Sequence, residues 1–285
     1  MTERYLLYGS TGWIGGMLIN LLADSGKTVI FGKARLENRQ DIEKEINQYQ
    51  PTRILNCAGV TGRPNVDWCE DHKQETIRAN VLGAITLADV AYQHNIHVTV
   101  YATGCIYEYD NDHPIGGKGF LEEDKPNFEG SFYSKTKIQT EKLLLCYPNV
   151  LILRVRMRIS DDLAPRNFIT KISKYQKVVN IPNSMTILHD LLPVSLDMSE
   201  KSRTGVYNFT NPGTLSHNEI LSLYKEYIDK NYTWVNFSLE EQAQVIKAGR
   251  SNNELDSTKL LKEYPHILPA KESIIKVFER MRKDL

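Results

Sequence analysis

Arg4-Tyr5-Leu6-Leu7-Tyr8-Gly9-Ser10-Thr11-Gly12-Trp13-Ile14-Gly15-Gly16-Met17-Leu18-Ile19-Asn20-Leu21-Leu22 is the stretch whose reading decides the fold. Arg4 to Tyr8 reads as a short buried strand. Met17, Leu18, Leu21 and Leu22 recur at helical spacing, and Gly26 ends that helix. Between strand and helix stand Gly9, Thr11, Gly12, Trp13, Ile14 and Gly15. A glycine turn at this junction lets backbone N–H groups approach a pyrophosphate at the positive end of the helix. The spacing is G-x-x-G-x-x-G, not G-x-G-x-x-G, and the glycines alone would equally fit a tight turn without a ligand. A strand before and a helix after favour nucleotide binding.

Outward from this turn, strands and helices alternate. Thr28 to Phe31 is the second strand, followed by Gly32-Lys33-Ala34-Arg35. An acid at this place would hold the ribose 2′-OH of NAD. Two cations and no acid favour a 2′-phosphate, hence NADPH, with NADH as the alternative; the bland alternative is a pair of solvated surface cations. Asp41 to Tyr49 is an amphipathic helix. Arg53 to Cys57 is a buried strand leading into Ala58-Gly59, where small residues let the chain pass close to a cofactor. Thr76 to Tyr92 reads as one long helix carrying Asn80 among apolar neighbours. That amide is either satisfied in the core or holds a backbone group or water behind an active site.

His97 to Tyr101 is the fourth strand, ending at Ala102-Thr103-Gly104-Cys105. Catalytic groups in open parallel sheets sit at such strand ends. If extended backbone continues, Thr103 and Cys105 point to one side. A loop of about 25 residues follows, long enough to fold over a ligand. It contains Gly117-Lys118-Gly119, which lacks the remaining residues of a P-loop. The loop ends at a helix with Tyr133-Ser134-Lys135-Thr136-Lys137, whose Tyr and Lys lie one turn apart on one face. There the ammonium is expected to lower the phenol's pKa and orient a cofactor. With 15 tyrosines, and 35 Lys plus Arg in 285 residues, roughly one or two such Tyr-to-basic spacings arise by chance, so context carries the weight.

Beyond Pro148 the elements shorten. Val150 to Val155 is a strand of the main sheet, Arg166 to Tyr175 a helix lining a substrate site, Leu215 to Ile228 and Ser238 to Ile246 amphipathic helices, and the tail to Leu285 a charged amphipathic helix. The fold class is α/β: a Rossmann-type doubly wound parallel sheet with a smaller C-terminal substrate-binding annex. Residues 1–160 form the NADP-binding domain with the catalytic residues, and 161–285 a nucleotide-sugar region partly interleaved with it.

Composition sets the outer limits. At 41% hydrophobic and 25% charged the chain is that of an ordinary globular protein. Thirty-five basic and 35 acidic residues cancel, removing any general argument for nucleic acid or an anionic membrane as partner. No signal peptide and no long apolar span are visible. The four cysteines (Cys57, Cys69, Cys105, Cys146) form no Cys-x-x-Cys, which fits a reducing, cytoplasmic compartment and no structural zinc. The seven histidines show no metal-ligand spacing, so no metal is expected.

Gly9/Gly12/Gly15, Asn56-Cys57-Ala58-Gly59, Thr103 at a strand end and Tyr133-x-x-x-Lys137 occur in the order of the extended short-chain dehydrogenase/reductases, which the chain resembles over nearly its whole length. Four runs, 62–70, 165–172, 180–188 and 208–213, are similar to the bifunctional 3,5-epimerase/4-reductases of nucleotide-rhamnose synthesis. These convert UDP- or dTDP-4-keto-6-deoxyglucose to the nucleotide-L-rhamnose. The resemblance implies a hydroxyl–phenol–ammonium triad of Thr103, Tyr133 and Lys137, an acid/base thiol at Cys105 and a second acid/base group at Lys171. It implies Gly9 to Gly15, Lys33, Arg35, Cys57, Ala58, Gly59, Asn80, Tyr133 and Lys137 around NADPH, and Asn167 and Arg250 on the substrate. It also implies a homodimer, and a keto-sugar supplied by a separate 4,6-dehydratase. Two other readings stay open: a 4-ketoreductase without epimerase activity, and a non-catalytic NADP-binding regulatory subunit.

Overall fold

A computed structural model describes residues 3–63 and 65–283. Met1, Thr2, Leu285 and Pro64 of the 62–70 run lie outside the described residues. Strand β1 (Arg4–Tyr8) turns into helix α1 (Trp13–Asp24), followed by β2 (Thr28–Phe31), α2 (Arg39–Tyr49) and β3 (Arg53–Asn56). Short helices α3 (Trp68–Asp71) and α4 (Lys73–Ile77) run into a π-helical turn, Arg78–Leu82, and then α5 (Gly83–Gln93). Next come β4 (His97–Thr103), the long connection, α6 (Phe132–Leu144) and β5 (Val150–Val155). The remainder comprises α7 (Phe168–Ile172), β6 (Lys177–Val178), β7 (Asn183–Met185), α8 (Leu188–Glu200), β8 (Gly205–Asn208) and β9 (Asn211–Leu215). It closes with α9 (His217–Tyr227), β10 (Val235–Asn236), α10 (Leu239–Ala243), α11 (Thr258–Glu263) and α12 (Ala270–Lys283).

The main sheet has the order β2-β1-β3-β4-β5-β8, and every neighbouring pair is parallel. Its strands read as continuous apolar runs because both faces are covered. Alternate residues go to opposite sides. Leu6, Ile54, Val98 and Ile152 pack under α2, α5 and α6, while Tyr5, Leu7 and Leu55 pack against α1 and α8. The chain order reverses between β1 and β3, so the crevice for a ligand opens at the carboxyl ends of these strands. A second core lies beside the sheet, where Ile169 and Ile172 meet Met185, Leu215, Ile220 and the Ile274, Val277 and Phe278 face of α12.

Several elements differ from the sequence reading. The helix expected over Thr76 to Tyr92 runs without interruption but widens into the π-helical turn that carries Asn80. The one expected over Arg166 to Tyr175 shrinks to Phe168–Ile172, because Asn167 caps it by accepting from the Ile169 N–H. Leu215 ends a strand, so α9 starts after it, with Ser216 and Glu219 forming a reciprocal cap. Ser238 starts α10 in the same way, but this helix buries no residue and stops at Ala243. Strand β8 and helices α8 and α11 build on the main sheet although they lie beyond residue 160.

Candidate active site

The glycine turn is forced by contact. Gly9 has φ +80, and a Cβ there would lie 2.6 Å from the Cys57–Ala58 peptide. A Cβ on Gly15 would stand 2.2 Å from the Gly9 carbonyl. Helix α1 begins at Gly12 with no side chain capping it, so its first N–H groups face the crevice between β1 and β3. That is the donor set a pyrophosphate needs, and the residues fit a dinucleotide. Thr11 is exposed at the turn. Ile14 is buried in the α1 core, so only its backbone could meet a ligand. Trp13 reaches across instead: its indole N–H donates to Asp162 at 2.7 Å, tying the turn to the C-terminal half.

Lys33 and Arg35 are both exposed, and neither makes an ion pair among the described residues. Their loop is held by Glu45 of α2, which accepts from the Lys33 and Ala34 N–H groups and from the Tyr8 phenol. The Glu45 carboxylate is thereby engaged through both oxygens. Asn80 is engaged too. Its carboxamide accepts from the Val60 N–H and donates to the Val60 carbonyl, both at 2.8 Å, and its own carbonyl accepts from Thr140 of α6. Asn80 therefore clamps the chain just beyond Cys57-Ala58-Gly59. Cys57 is partly buried and packs against the α1 core, and desolvation pushes its thiol up.

At the end of β4, Thr103 and Tyr133 are both buried, with the Thr103 hydroxyl close enough to favour ionisation of the phenol against the effect of burial. Extended backbone stops at Thr103. The chain turns there, with the Cys105 N–H donating to the Thr103 hydroxyl at 3.1 Å and Ser134 of α6 donating to the Cys105 carbonyl at 2.6 Å. The turn still leaves the thiol near the phenol, close enough for Cys105 to oppose ionisation of Tyr133.

The expected lowering of Tyr133 by Lys137 is not found. Burial pushes the phenol well above its ordinary value, and the cation that partly offsets this is Arg158. Lys137 is itself desolvated and pulled down to about 8, with Glu141 one turn further on opposing the shift. The physical reason is that a phenolate enclosed here loses its water. At neutral pH Tyr133 is therefore a neutral acid, the form that can donate a proton to an oxyanion.

Three arginines leave the end of β5 at alternate positions. Arg154 pairs with Glu141 (Nη2–Oε1 2.6 Å, Nε–Oε2 3.0 Å). Arg156 donates to the Cys105 sulfur at 3.6 Å. Arg158 sits near Tyr133, Cys57 and Lys171 without an ion pair among the described residues. Lys171 is half-buried, and its ammonium is held below the usual range by burial and then by Arg158, Arg166 and Arg250. A group of cations this close together suits a diphosphate.

Two expected substrate contacts change meaning. Asn167 is fully buried and spends its carboxamide on the Ile169 N–H and on the Ser160 and Asp162 carbonyls, so it is a cap, not a substrate ligand. Arg250 lies in the cationic group but pairs with Asp67 at 2.9 Å, which binds one of its N–H edges. Sequence reading missed Arg156, Arg158 and Arg166. The signal was present as Arg154-Val155-Arg156-Met157-Arg158: alternating cations at the end of an otherwise apolar strand.

Comparison with known proteins places this geometry. The RmlD substrate binding domain family model matches residues 3–281. A bifunctional dTDP-4-dehydrorhamnose 3,5-epimerase/dTDP-4-dehydrorhamnose reductase of Arabidopsis thaliana is 60% identical over 98% of this chain and 94% of its own. A trifunctional UDP-glucose 4,6-dehydratase/UDP-4-keto-6-deoxy-D-glucose 3,5-epimerase/UDP-4-keto-L-rhamnose reductase of the same plant is 59% identical over 96% of this chain, which spans only 41% of that longer protein. The crystal structure of the L780 UDP-rhamnose synthase of Acanthamoeba polyphaga mimivirus superposes with a TM-score of 0.94 at 40% identity, covering 99% of this chain and all of that one. A Bacillus anthracis dTDP-4-dehydrorhamnose reductase solved with NADP shares the fold at TM-score 0.83 and 18% identity, over 98% of this chain and 99% of its own.

Proposed function

The chain belongs to the RmlD substrate binding domain family, and from that premise we propose that it is a bifunctional enzyme. It epimerises UDP-4-keto-6-deoxy-D-glucose, or the dTDP form, at C3 and C5 and then reduces C4 to give the nucleotide-L-rhamnose. The observation that carries this reading is the meeting of one thiol with one hydroxyl–phenol pair at the end of β4, Cys105 beside Thr103 and Tyr133, with Arg158 as the neighbour they share with the lowered ammonium of Lys171.

A C4 ketone acidifies the C–H bonds at C3 and C5. Thr103 and Tyr133 hold the C4 oxygen and stabilise the enolate charge. The Cys105 thiolate takes the proton from carbon and becomes a thiol, and the Lys171 ammonium returns a proton to the other face. Burial and the neighbouring cations that hold the Lys171 ammonium below its usual range make its proton easier to give up. NADPH, when bound, supplies the hydride to C4. Tyr133, kept neutral by burial, then protonates the alkoxide. Lys137 lies one turn along α6, on the same face, to hold the nicotinamide ribose. Gly9 to Gly15 would cradle the pyrophosphate, and Lys33 and Arg35 the 2′-phosphate.

The same reading has the keto-sugar arriving from a separate 4,6-dehydratase. It also has the protein acting as a homodimer in the cytoplasm. Half-exposed Leu82, Tyr92, Leu143 and Leu145 on α5, α6 and the adjoining turns offer an apolar face for a second copy. Among the described residues no helix is long and apolar enough to cross a membrane.

The test is turnover of UDP- and dTDP-4-keto-6-deoxyglucose with NADPH, with the product sugar identified. L-rhamnose from the un-epimerised ketone supports the proposal. Reduction only of a pre-epimerised ketone would reduce the function to a 4-reductase. No NADPH consumption with either nucleotide would favour a regulatory subunit.

A further inference from the structure

Cys105 is not alone at its turn. Arg156, just beyond β5, has its side chain fully enclosed and directs Nη1 at the Cys105 sulfur at 3.6 Å. The rest of the guanidinium is held by neutral groups only. Nη1 also donates to the Ser251 hydroxyl at 2.8 Å and the Gly104 carbonyl at 3.3 Å. Nη2 donates to the Ser251 carbonyl at 3.0 Å and to the Asn183 side chain. Nε has no partner.

No carboxylate meets this charge among the described residues. Asn183 and Asn253 lock the surrounding loops by their own bonds to the Asn253 N–H and the Gly104 and Tyr107 carbonyls. Gly104 is the residue that admits the arginine stem, since a Cβ there would meet Arg156 Cγ at 2.9 Å. The titratable groups facing this pair are Tyr133 from α6, and Tyr109 with Glu254 on the far side of Arg156.

A buried cation without a counter-ion is costly unless an anion joins it. The one nearby group able to become an anion within hydrogen-bond reach is the Cys105 sulfur. We infer that Arg156 is the residue that stabilises the Cys105 thiolate, so that this cysteine can take the proton from substrate carbon. The step then balances. The thiolate takes the C3 or C5 proton, the enolate electrons rest on the C4 oxygen under Thr103 and Tyr133, and Arg156 keeps its proton throughout. Arg156 is a positioning residue for charge. It acts through Cys105 and needs no contact with the sugar. This inference rests on the proposed epimerase reading.

The experiment is iodoacetamide alkylation of Cys105 against pH in the full chain, read by peptide mass mapping, beside solvent deuterium incorporation into the keto-sugar. In R156Q the Cys105 alkylation curve moves up by about one pH unit or more, the scale expected for losing an adjacent opposite charge. Deuterium exchange at neutral pH falls about tenfold with it. R156K, which restores one positive charge, returns the curve most of the way. A curve unmoved in R156Q, or as displaced in R156K as in R156Q, overturns the inference. Should R156Q fail to fold, Asn183→Asp sets a carboxylate against the guanidinium, and the curve must again move up; no movement overturns the inference. The epimerase reading fails separately, if C105S keeps full deuterium exchange.

Discussion

Arg154 and Arg156 leave the same strand two positions apart and are equally enclosed, yet they are treated oppositely. Arg154 meets both oxygens of Glu141, the Asn208 side chain and the Glu122 carbonyl, and lies over the Tyr107 ring. Its charge is cancelled where it stands. Arg156 meets only neutral acceptors and a thiol. A closed ion pair ties α6 to β5 and is structural. An open cation can be retained only where something else benefits from it, and here that is a sulfur at the end of β4. Paired and unpaired buried charge thus separates scaffold from chemistry on one strand.

The largest expected effect comes from making Arg154 resemble Arg156. E141Q strands a buried guanidinium and should lower unfolding stability by about 3–5 kcal/mol, read by denaturant titration. A loss under 1 kcal/mol would show that the pair is not what anchors α6. Next is Lys137, a desolvated cation on α6 one turn before Glu141. Its folded value of about 8 lies below the ordinary 10.5, so folding disfavours its charged form. The penalty is fully present below pH 8 and is relieved as pH rises from 8 to 10.5. K137M should therefore raise stability by about 1–3 kcal/mol at pH 7, a gain that fades toward pH 10.5, while C4 reduction is lost. A gain unchanged by pH would contradict the desolvation account. The smallest effect is at the surface, where R35A should raise KM for NADPH about tenfold and leave KM for NADH unchanged. Equal changes for both cofactors would remove the 2′-phosphate role.

The alternation of strand and helix was legible because continuous apolar strands and amphipathic helices follow from a sheet covered on both faces. Tyr133, Lys137, Thr103 and Cys105 were legible because their signals are local: one helical turn, one strand end. Asn167 was misread because an amide before Phe-Ile-Thr-Lys-Ile looks the same whether it caps a helix or binds a ligand, and only the fold supplies the Ser160 and Asp162 carbonyls that consume it. The π-helical turn at Asn80 was hidden because it keeps nearly the same apolar spacing as an α-helix. The expectation for Tyr133 failed on magnitude. Proximity to a lysine suggested a lowered phenol, but burial acts on both groups and outweighs their attraction. The alternation of Arg154, Arg156 and Arg158 was visible but could not be read as part of a site, since alternating cations on a strand normally face water. The enclosure of Arg156 depends on the loops at Asn183 and Ser251, far along the chain.

The central claim is that one ketone-binding pair serves both an enolate and an alkoxide, with Cys105 moving the carbon-bound proton. Its most direct measurement is incubation of UDP-4-keto-6-deoxyglucose with the enzyme in D₂O without NADPH, followed by NMR of the recovered sugar. Deuterium at both C3 and C5 with the wild-type protein, and at neither with C105S, is the predicted result. Protium retained at both carbons with the wild-type protein would contradict it.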